Sequence, residues 1–359
     1  MATGARRAYP DANIVTIPLA DGGEGTVDAW LRACGGRLVT CPVTGPLGKQ
    51  MNAAYGILGD NETAVVETAA ASGLTLVPPA QRNPLNTTTY GTGQLIRHAI
   101  ESGVCRLVIG LGGSATNDGG AGALQALGVR FLDVDGKALP YPITGGMVET
   151  IASIALTTAV KLPDDDGVEI ILASDVMNPL TGPTGASAVF GPQKGATPEI
   201  VTRLDNALGH LASIIKRDMG RDILSVPGGG AAGGLGAALM AFFGSTARSG
   251  IDLILDAAHF DEAAADADYV ITGEGSVDSQ TLSGKAVAGV VKRCKAIGNA
   301  SVIAIGGIVD FEIMPDLKEA GVAAVEAASP TGMAVDEAMA RAAELVEAAV
   351  ERALVATKP

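Results

Sequence analysis

Two stretches of this chain set paired carboxylates among glycines: Asp21-Gly22-Gly23-Glu24-Gly25 and Gly273-Glu274-Gly275-Ser276-Val277-Asp278. Loops of this kind suit Mg2+, a hard cation that takes one or two carboxylates and completes its shell with water and phosphate oxygens. Asp21, Glu24 and Glu274 are therefore candidate metal ligands. A carboxylate so placed can also act as a general base toward a hydroxyl during phosphoryl transfer, and Asp278 is the candidate. Lys285 opens the helix that follows, where its charge could neutralise a transferring phosphoryl group. The competing readings are acidic surface turns and a solvated helix lysine.

A third loop, Gly112-Gly113-Ser114-Ala115-Thr116-Asn117-Asp118-Gly119-Gly120, lets successive N–H groups converge on an anion beside a helix start. Ser114, Thr116 and Asn117 add neutral hydrogen bonds, while Asp118 either holds a cation that bridges phosphate or caps the helix. Gly273 and Gly275 join Gly112 and Gly113 as candidate backbone contacts to phosphate or substrate. Thr87 to Gly93 places four threonines before a helix, and Thr88 and Thr92 are candidate anion donors there, with N-capping as the alternative. Asp175 and Asn178 follow another strand in the same way, with Pro179 and Gly182 shaping the turn.

Several familiar chemistries drop out. The nearest approach to a Walker A loop, Ser279 to Ala286, has Ser at the first glycine and Ala at the hydroxyl position, so it fails. Gly228 to Gly233 fits G-x-G-x-x-G by letter. It follows only a weak strand, Ile223 to Val226, and lacks a convincing ribose-binding acid about 20 residues on, so close backbone packing is favoured over a nicotinamide site. The three histidines and four cysteines are scattered, which suits isolated buried thiols in a reducing cytosol rather than a zinc site or a disulfide framework. A net charge of −14 and only 3% aromatic residues argue against nucleic acid and anionic lipid as partners. There is no apolar run of about 18 residues and no signal-peptide h-region, so a soluble cytoplasmic protein is expected.

These loops need rigid supports, and the sequence supplies a repeating one: a short apolar strand, a glycine-rich loop, then an alanine-rich helix. Strands are expected at Ile14–Ala20, Arg106–Leu111, Val168–Ala173, Tyr269–Thr272 and Ser301–Ile305. Alternation of this kind defines an α/β protein whose ligands gather at the carboxyl ends of the strands. Leu38 to Glu67 instead reads as short strands separated by Gly, Pro and Asn-Glu turns, a hairpin signature that begins a second domain. The alanine-rich amphipathic helix at about Val335 to Val355 fits either a homo-oligomer interface or a cover for the sheet.

The chain resembles the bacterial glycerate kinase family. The resemblance rests on IPLADGGEGTVDAW (17–30), VTGPLG (43–48), ETAAASGLTLVP (67–78), NPLNTTTYGTGQLI (83–96), IGLGGSATNDGGAGALQALG (109–128), ASDVMNPLTGPTGASAVFGPQKGA (173–196), GGGAAGGLGAALMAF (228–242) and DYVITGEGSVDSQTLSGKAV (268–287). It implies a Rossmann-like parallel-sheet domain, here 1–37 and 246–359, with a mixed α/β domain, 38–245, inserted into it. It further implies ATP and Mg2+, with D-glycerate as substrate and 2-phosphoglycerate as the expected product. The family's acidic glycine loops fall on Asp21, Glu24, Glu274 and Asp278, and its nucleotide-type loop on Gly112 to Asp118. Members normally open with a strand and an A-P-D-S-F-K-G-S-L loop, whereas this chain starts at Met1-Ala2-Thr3-Gly4 within the helix that follows them. That leaves two readings: a start set at an internal methionine, which is favoured, or a truncated relative that binds glycerate or nucleotide without turnover.

Overall fold

The computed structural model describes residues 1–156, 167–279, 281, 286–298 and 300–357. It forms two compact units, Ala20–Gly250 and a discontinuous one made of Met1–Leu19 and Ile251–Pro359. The division falls at 19/20 and 250/251, outside the expected 37/38 and 245/246. The helix Thr26–Cys34 goes with the larger unit because its Val27 and Leu31 side chains lie against Gly56 of that unit's sheet.

In the larger unit a six-stranded sheet runs in the order β1 (Gly36–Thr44), β2 (Gln50–Leu58), β3 (Thr63–Glu67), β4 (Arg106–Gly110), β7 (Glu169–Ala173), β8 (Thr246–Arg248). The expected hairpin region is present: β1 to β3 are antiparallel neighbours, and Asp60 closes the second turn by accepting from the N–H groups of Glu62 and Thr63. From β3 onward the strands are parallel. All five residues of β3 are buried, with the apolar Ala64–Val66 at its centre between Thr63 and Glu67, as in a strand covered on both faces. A separate two-stranded ribbon pairs β5 (Val129–Leu132) with β6 (Ser153–Leu156).

The long helix Pro198–Met219 starts with a Thr197 cap and Pro at its first turn, and stops at Gly220 with φ +71°. It buries Leu204, Ala207, Leu208, Leu211, Ala212, Ile214 and Ile215, the 3.6-residue stripe that faces a core.

The smaller unit is a three-stranded parallel sheet ordered β11 (Val322–Ala327), β10 (Ser301–Val309), β9 (Tyr269–Val277), crossed by the helices Ala286–Ile297 and Met314–Ala320. Its core joins Ile303 and Ile305 to Leu345, Ala349, Val350, Ala353 and Leu354 of the helix Ala342–Ala356, and to Ala8 of the helix Ala2–Ala8.

Three local expectations need correction. Ile14–Ala20 belongs to no strand among the described residues, and Val15 is 62% exposed; apolar composition gives strand propensity, but a strand exists only by pairing. Gly273 to Val277 and Gly306-Gly307, read as loops, continue β9 and β10, because a Cβ on Gly307 would sit 2.6 Å from the Gly275 carbonyl and only glycines let the backbones approach so closely. The helix expected over 335–355 is two helices, Val335–Ala340 and Ala342–Ala356, broken at Arg341 (φ −107°, ψ 13°) with no Gly or Pro to signal the break.

Candidate active site

The parallel strands of the larger unit end in one register row: Glu67 pairs with Gly110, Gly110 with Ala173, and Ala173 with Arg248. This carboxyl edge is where ligands of open α/β sheets collect. The loop Asp21–Gly25 lies across the row. The Gly112 N–H donates to the Gly22 carbonyl at 2.9 Å, and the Leu111 N–H donates to the Ala173 carbonyl at 3.2 Å. Such an approach leaves no room for side chains. A Cβ on Gly112 would lie 2.6 Å from the Gly23 Cα, one on Gly110 2.5 Å from the Gly22 carbonyl oxygen, and one on Gly250 2.5 Å from the Asp21 carbonyl carbon. The glycines here serve the contact between loops.

Two carboxylates ride on that loop at the surface. Asp21 is exposed and accepts from the Gly23 N–H at 3.1 Å, while Glu24 is exposed and accepts from the Thr75 hydroxyl at 2.9 Å. Beneath them Glu67, 9% exposed, accepts from the Val27 N–H at 2.6 Å at the start of the helix Thr26–Cys34. Burial pushes its carboxyl up, against the hydrogen bonds from Val27 and Gly25. Glu67 was not singled out from the sequence; its only signal there is an acid closing an otherwise apolar strand. Arg248, an exposed cation at the end of β8, was missed too.

The glycine loop has an outer and an inner part. Gly113 is exposed with φ +69°, and Gly112 is half-buried. Ser114 is 7% exposed, and Thr116, Asn117 and Asp118 are fully buried. The Asp118 carboxylate accepts from the Thr89 N–H and hydroxyl, both at 2.8 Å, and from the N–H groups of Gly120 (3.1 Å) and Gly122 (3.3 Å). Burial pushes its carboxyl up while these four donors hold it down. Asp118 thus ties the loop to the segment before the helix Tyr90–Glu101. The Asn117 amide donates to the Ser187 hydroxyl at 3.1 Å, and the Thr92 hydroxyl to the Ser72 hydroxyl at 2.8 Å. Thr88 is buried and accepts from the Tyr90 N–H at 3.1 Å. The structure therefore groups Gly112, Gly113, Ser114, Asp21 and Glu24 at the strand ends, and places Thr88, Thr92, Thr116, Asn117 and Asp118 inside the protein.

Asp175 is half-buried just beyond β7, and Asn178 donates to the Thr184 carbonyl at 2.8 Å, shaping the turn. The stretch 228–234 is backbone packing: a Cβ on Gly233 would reach the Asn117 Cα at 2.6 Å and one on Gly234 the Gly119 Cα at 2.8 Å. Among the described residues no strand forms at Ile223–Val226, where the dinucleotide reading requires one, so that reading falls.

In the smaller unit Gly273, Glu274 and Gly275 lie within β9. The Asp278 carboxylate accepts from the Ser276 hydroxyl at 2.9 Å, its N–H donates to the Thr281 hydroxyl at 3.0 Å, and that hydroxyl donates in turn to Glu274. Lys285 lies outside the described residues. Among the described residues no three His, Cys, Asp or Glu side chains converge on a common point, and no helix is long and apolar enough to cross a membrane.

The larger unit is an α/β frame that gathers an acidic loop and a glycine loop at one carboxyl edge, the place where open α/β sheets collect small ligands. Comparison with known proteins makes this specific. A profile described as the Glycerate kinase family matches residues 1–358. The chain is similar to the glycerate kinase of Haemophilus influenzae, 48% identical over 88% of this chain and 82% of that one. It is also similar to the glycerate kinase of Halalkalibacterium halodurans, 46% identical over 96% and 90%, and to the glycerate 2-kinase of Escherichia coli, 48% identical over 85% and 78%. A crystal structure of a candidate glycerate kinase 2 from Salmonella typhimurium LT2 superposes with a TM-score of 0.84 at 49% identity, covering 99% of this chain and 91% of that one. The chain belongs to the glycerate kinase family and is an enzyme.

Proposed function

We propose that the protein transfers the γ-phosphoryl group of ATP to the 2-hydroxyl of D-glycerate, releasing 2-phosphoglycerate and ADP. The observation that carries this reading is the convergence of Asp21–Gly25 with Gly112-Gly113 over the Glu67–Gly110–Ala173–Arg248 row, in a chain whose relatives are named for glycerate phosphorylation. Two surface carboxylates three residues apart are hard oxygen donors, the set that Mg2+ uses alongside phosphate oxygens and water, so Asp21 and Glu24 fit that ion. When bound there it offsets charge on the transferring phosphoryl group.

The remaining work is positioning and electrostatics. Gly112 and Gly113 bring backbone close to an anion, and Ser114 adds a hydroxyl. Glu67 fixes the acidic loop from below through the helix start that follows it. Taken by itself, the smaller unit offers Asp278 as a base for a substrate hydroxyl, Glu274 as an oxygen ligand, and the backbone of Gly273 and Gly275 as contacts to phosphate or substrate. Lys285 carries the charge that balances the transferring group.

The test is ADP release that depends on D-glycerate, with the product's phosphorus-31 spectrum distinguishing the 2- from the 3-phosphate. Asp278→Ala should lower kcat far more than it raises KM. Undiminished kcat in that variant refutes its role as base, and ADP release indifferent to D-glycerate refutes the substrate.

A further inference from the structure

Lys194 is the least expected charge in the molecule. It is 3% exposed, closes the 3-10 turn Pro192–Lys194, and sits beneath the glycine loop. Its ammonium donates to the Ser114 hydroxyl oxygen at 2.9 Å and to the Thr116 carbonyl at 2.6 Å, both neutral acceptors. Among the described residues no carboxylate forms an ion pair with it. Asp118 is the opposing charge that acts on it through space, and its carboxylate already holds four donors. A buried ammonium without a contact ion pair is costly, and burial lowers the Lys194 pKa to about 8 against the opposing pull of the Asp118 charge.

The Ser114 hydroxyl shows where the charge is directed. Its oxygen accepts from Lys194, and its proton has no acceptor among the described residues. Ser114 is the residue on which the loop passes from the exposed Gly113 to the buried Thr116, and it keeps 7% of its surface in contact with solvent. An oxygen that accepts a charge-assisted hydrogen bond becomes a stronger donor through its own O–H, because such chains polarise cooperatively.

We propose that Lys194 is a positioning residue that acts through Ser114, turning the Ser114 O–H into a directed donor for an anionic oxygen of the substrate bound over Gly112-Gly113. This rests on the kinase reading for the identity of the anion, which is either the glycerate carboxylate or a nucleotide phosphate. The bound anion adds to the counter-charge that Asp118 alone supplies to Lys194.

The experiment measures D-glycerate and ADP binding separately by calorimetry, alongside kcat and KM, in the full chain and in Ser114→Ala, Lys194→Met, Lys194→Arg and the Ser114→Ala/Lys194→Met double variant. Loss of a hydrogen bond to a charged group should weaken one of the two ligands by about ten- to a hundredfold and leave the other within about threefold. The ligand that suffers identifies the anion. The double variant should be no weaker than the worse single one, since both remove the same relay. Lys194→Arg should recover part of the loss. Effects that add, or that weaken both ligands equally in step with a lower Tm, overturn the relay.

Should Lys194→Met fail to fold, the pH profile of the unmodified protein against Ser114→Ala decides the matter. The charged group acting on Lys194 from the packed elements is Asp118 on the glycine loop; Arg82 abuts the adjoining Gly195 through its backbone and Cβ, and its Nε–H donates to the Val77 carbonyl. Anion affinity should fall as pH rises through about 8 in the first protein and stay flat in the second; parallel profiles refute the proposal. Selective loss of ligand binding in a chain that releases no glycerate-dependent ADP would refute the kinase reading and leave the relay standing.

Discussion

Replacing Gly112 with Ala isolates the contact between the acidic loop and the strand row. Gly112 has no positive φ, so alanine brings no backbone strain of its own, only a methyl group. That methyl would lie 2.6 Å from the Gly23 Cα, 3.0 Å from the Gly23 nitrogen and 3.1 Å from the Gly22 carbonyl oxygen. All three are backbone atoms, so no side chain can rotate away. Restoring an ordinary contact of about 3.5 Å requires the loop to move by about 1 Å. Overpacking of this kind costs about 1–3 kcal/mol, which for a unit of this size lowers Tm by about 2–12 °C. The kinetic effect should be larger, since a displacement of about 1 Å at a reacting centre can cost about a hundredfold in rate. Asp21 and Glu24 travel with the displaced loop. The assay is kcat/KM for glycerate-dependent ADP release, beside a thermal melt and circular dichroism. A folded variant with kcat/KM within threefold of the parent would refute the idea that the 20–25 loop is held in register by this contact.

Four further outcomes follow from single residues. Gly209, inside the helix Pro198–Met219, meets only the Thr181 methyl at 4.0 Å, so Gly209→Ala should raise stability by about 0.5–1 kcal/mol with unchanged kinetics, checked by urea melts. Glu67→Ala leaves the buried Val27 N–H without its acceptor and should cost about 1–3 kcal/mol; Trp30, the single tryptophan and on that same helix, should report the change by fluorescence. Lys194 is held near 8 against an ordinary 10.5, so between those pH values the unfolded chain binds the extra proton, and stability relative to Lys194→Met should rise with pH across that window by up to about 3 kcal/mol, read from denaturant midpoints. Contrary to the expectation of buried thiols, Cys105 is exposed, because it lies in the turn just before β4, while Cys41 and Cys294 are buried, the latter thiol pushed up to about 11, so a thiol reagent should modify Cys105 first and those two only on unfolding.

What the sequence made legible was pattern, and what it hid was pairing and depth. The hairpin strands over 38–67 were readable because Gly, Pro and Asn-Glu turns punctuate alternating residues, and β4 and β7 because short β-branched runs end in polar loops. Ile14–Ala20 has similar composition and joins no strand among the described residues, since propensity does not specify a partner. The acidic loop at 21–25 and the outer glycines at 112 and 113 were found by chemistry and lie together at the strand ends. Thr88, Thr92, Thr116, Asn117 and Asp118 carry the same chemistry, yet they point it inward, a distinction that burial makes and residue type does not. Lys194 is the converse case: in sequence it is an ordinary lysine in a Gly-Pro-Gln-Lys-Gly turn, and only the fold closes over it.

The inner half of the glycine loop explains why the outer half can be made of so little. Gly112 and Gly113 offer backbone alone, and an unsupported glycine pair would sample many conformations and lose entropy on binding. Asp118 fixes one end through Thr89, Gly120 and Gly122, Asn117 fixes the middle through Ser187, and Lys194 clamps Ser114 to the Thr116 carbonyl. Two buried charges are a poor way to gain stability, because desolvation offsets most of what their hydrogen bonds return. They are an effective way to hold a loop in one geometry, because any rearrangement would strand a charge without its partners. Preorganised dipoles need no reorganisation when charge develops on a transferring group, and that is the condition under which electrostatic catalysis is strongest. The same logic separates the two classes of substitution: changes at Gly112 should move the loop, whereas changes at Lys194 or Asp118 should loosen it, and the second class should show its effect as a larger entropic penalty on ligand binding in calorimetry. An unchanged binding entropy in Lys194→Met, with affinity lost through enthalpy alone, would restrict Lys194 to its action through the Ser114 hydroxyl.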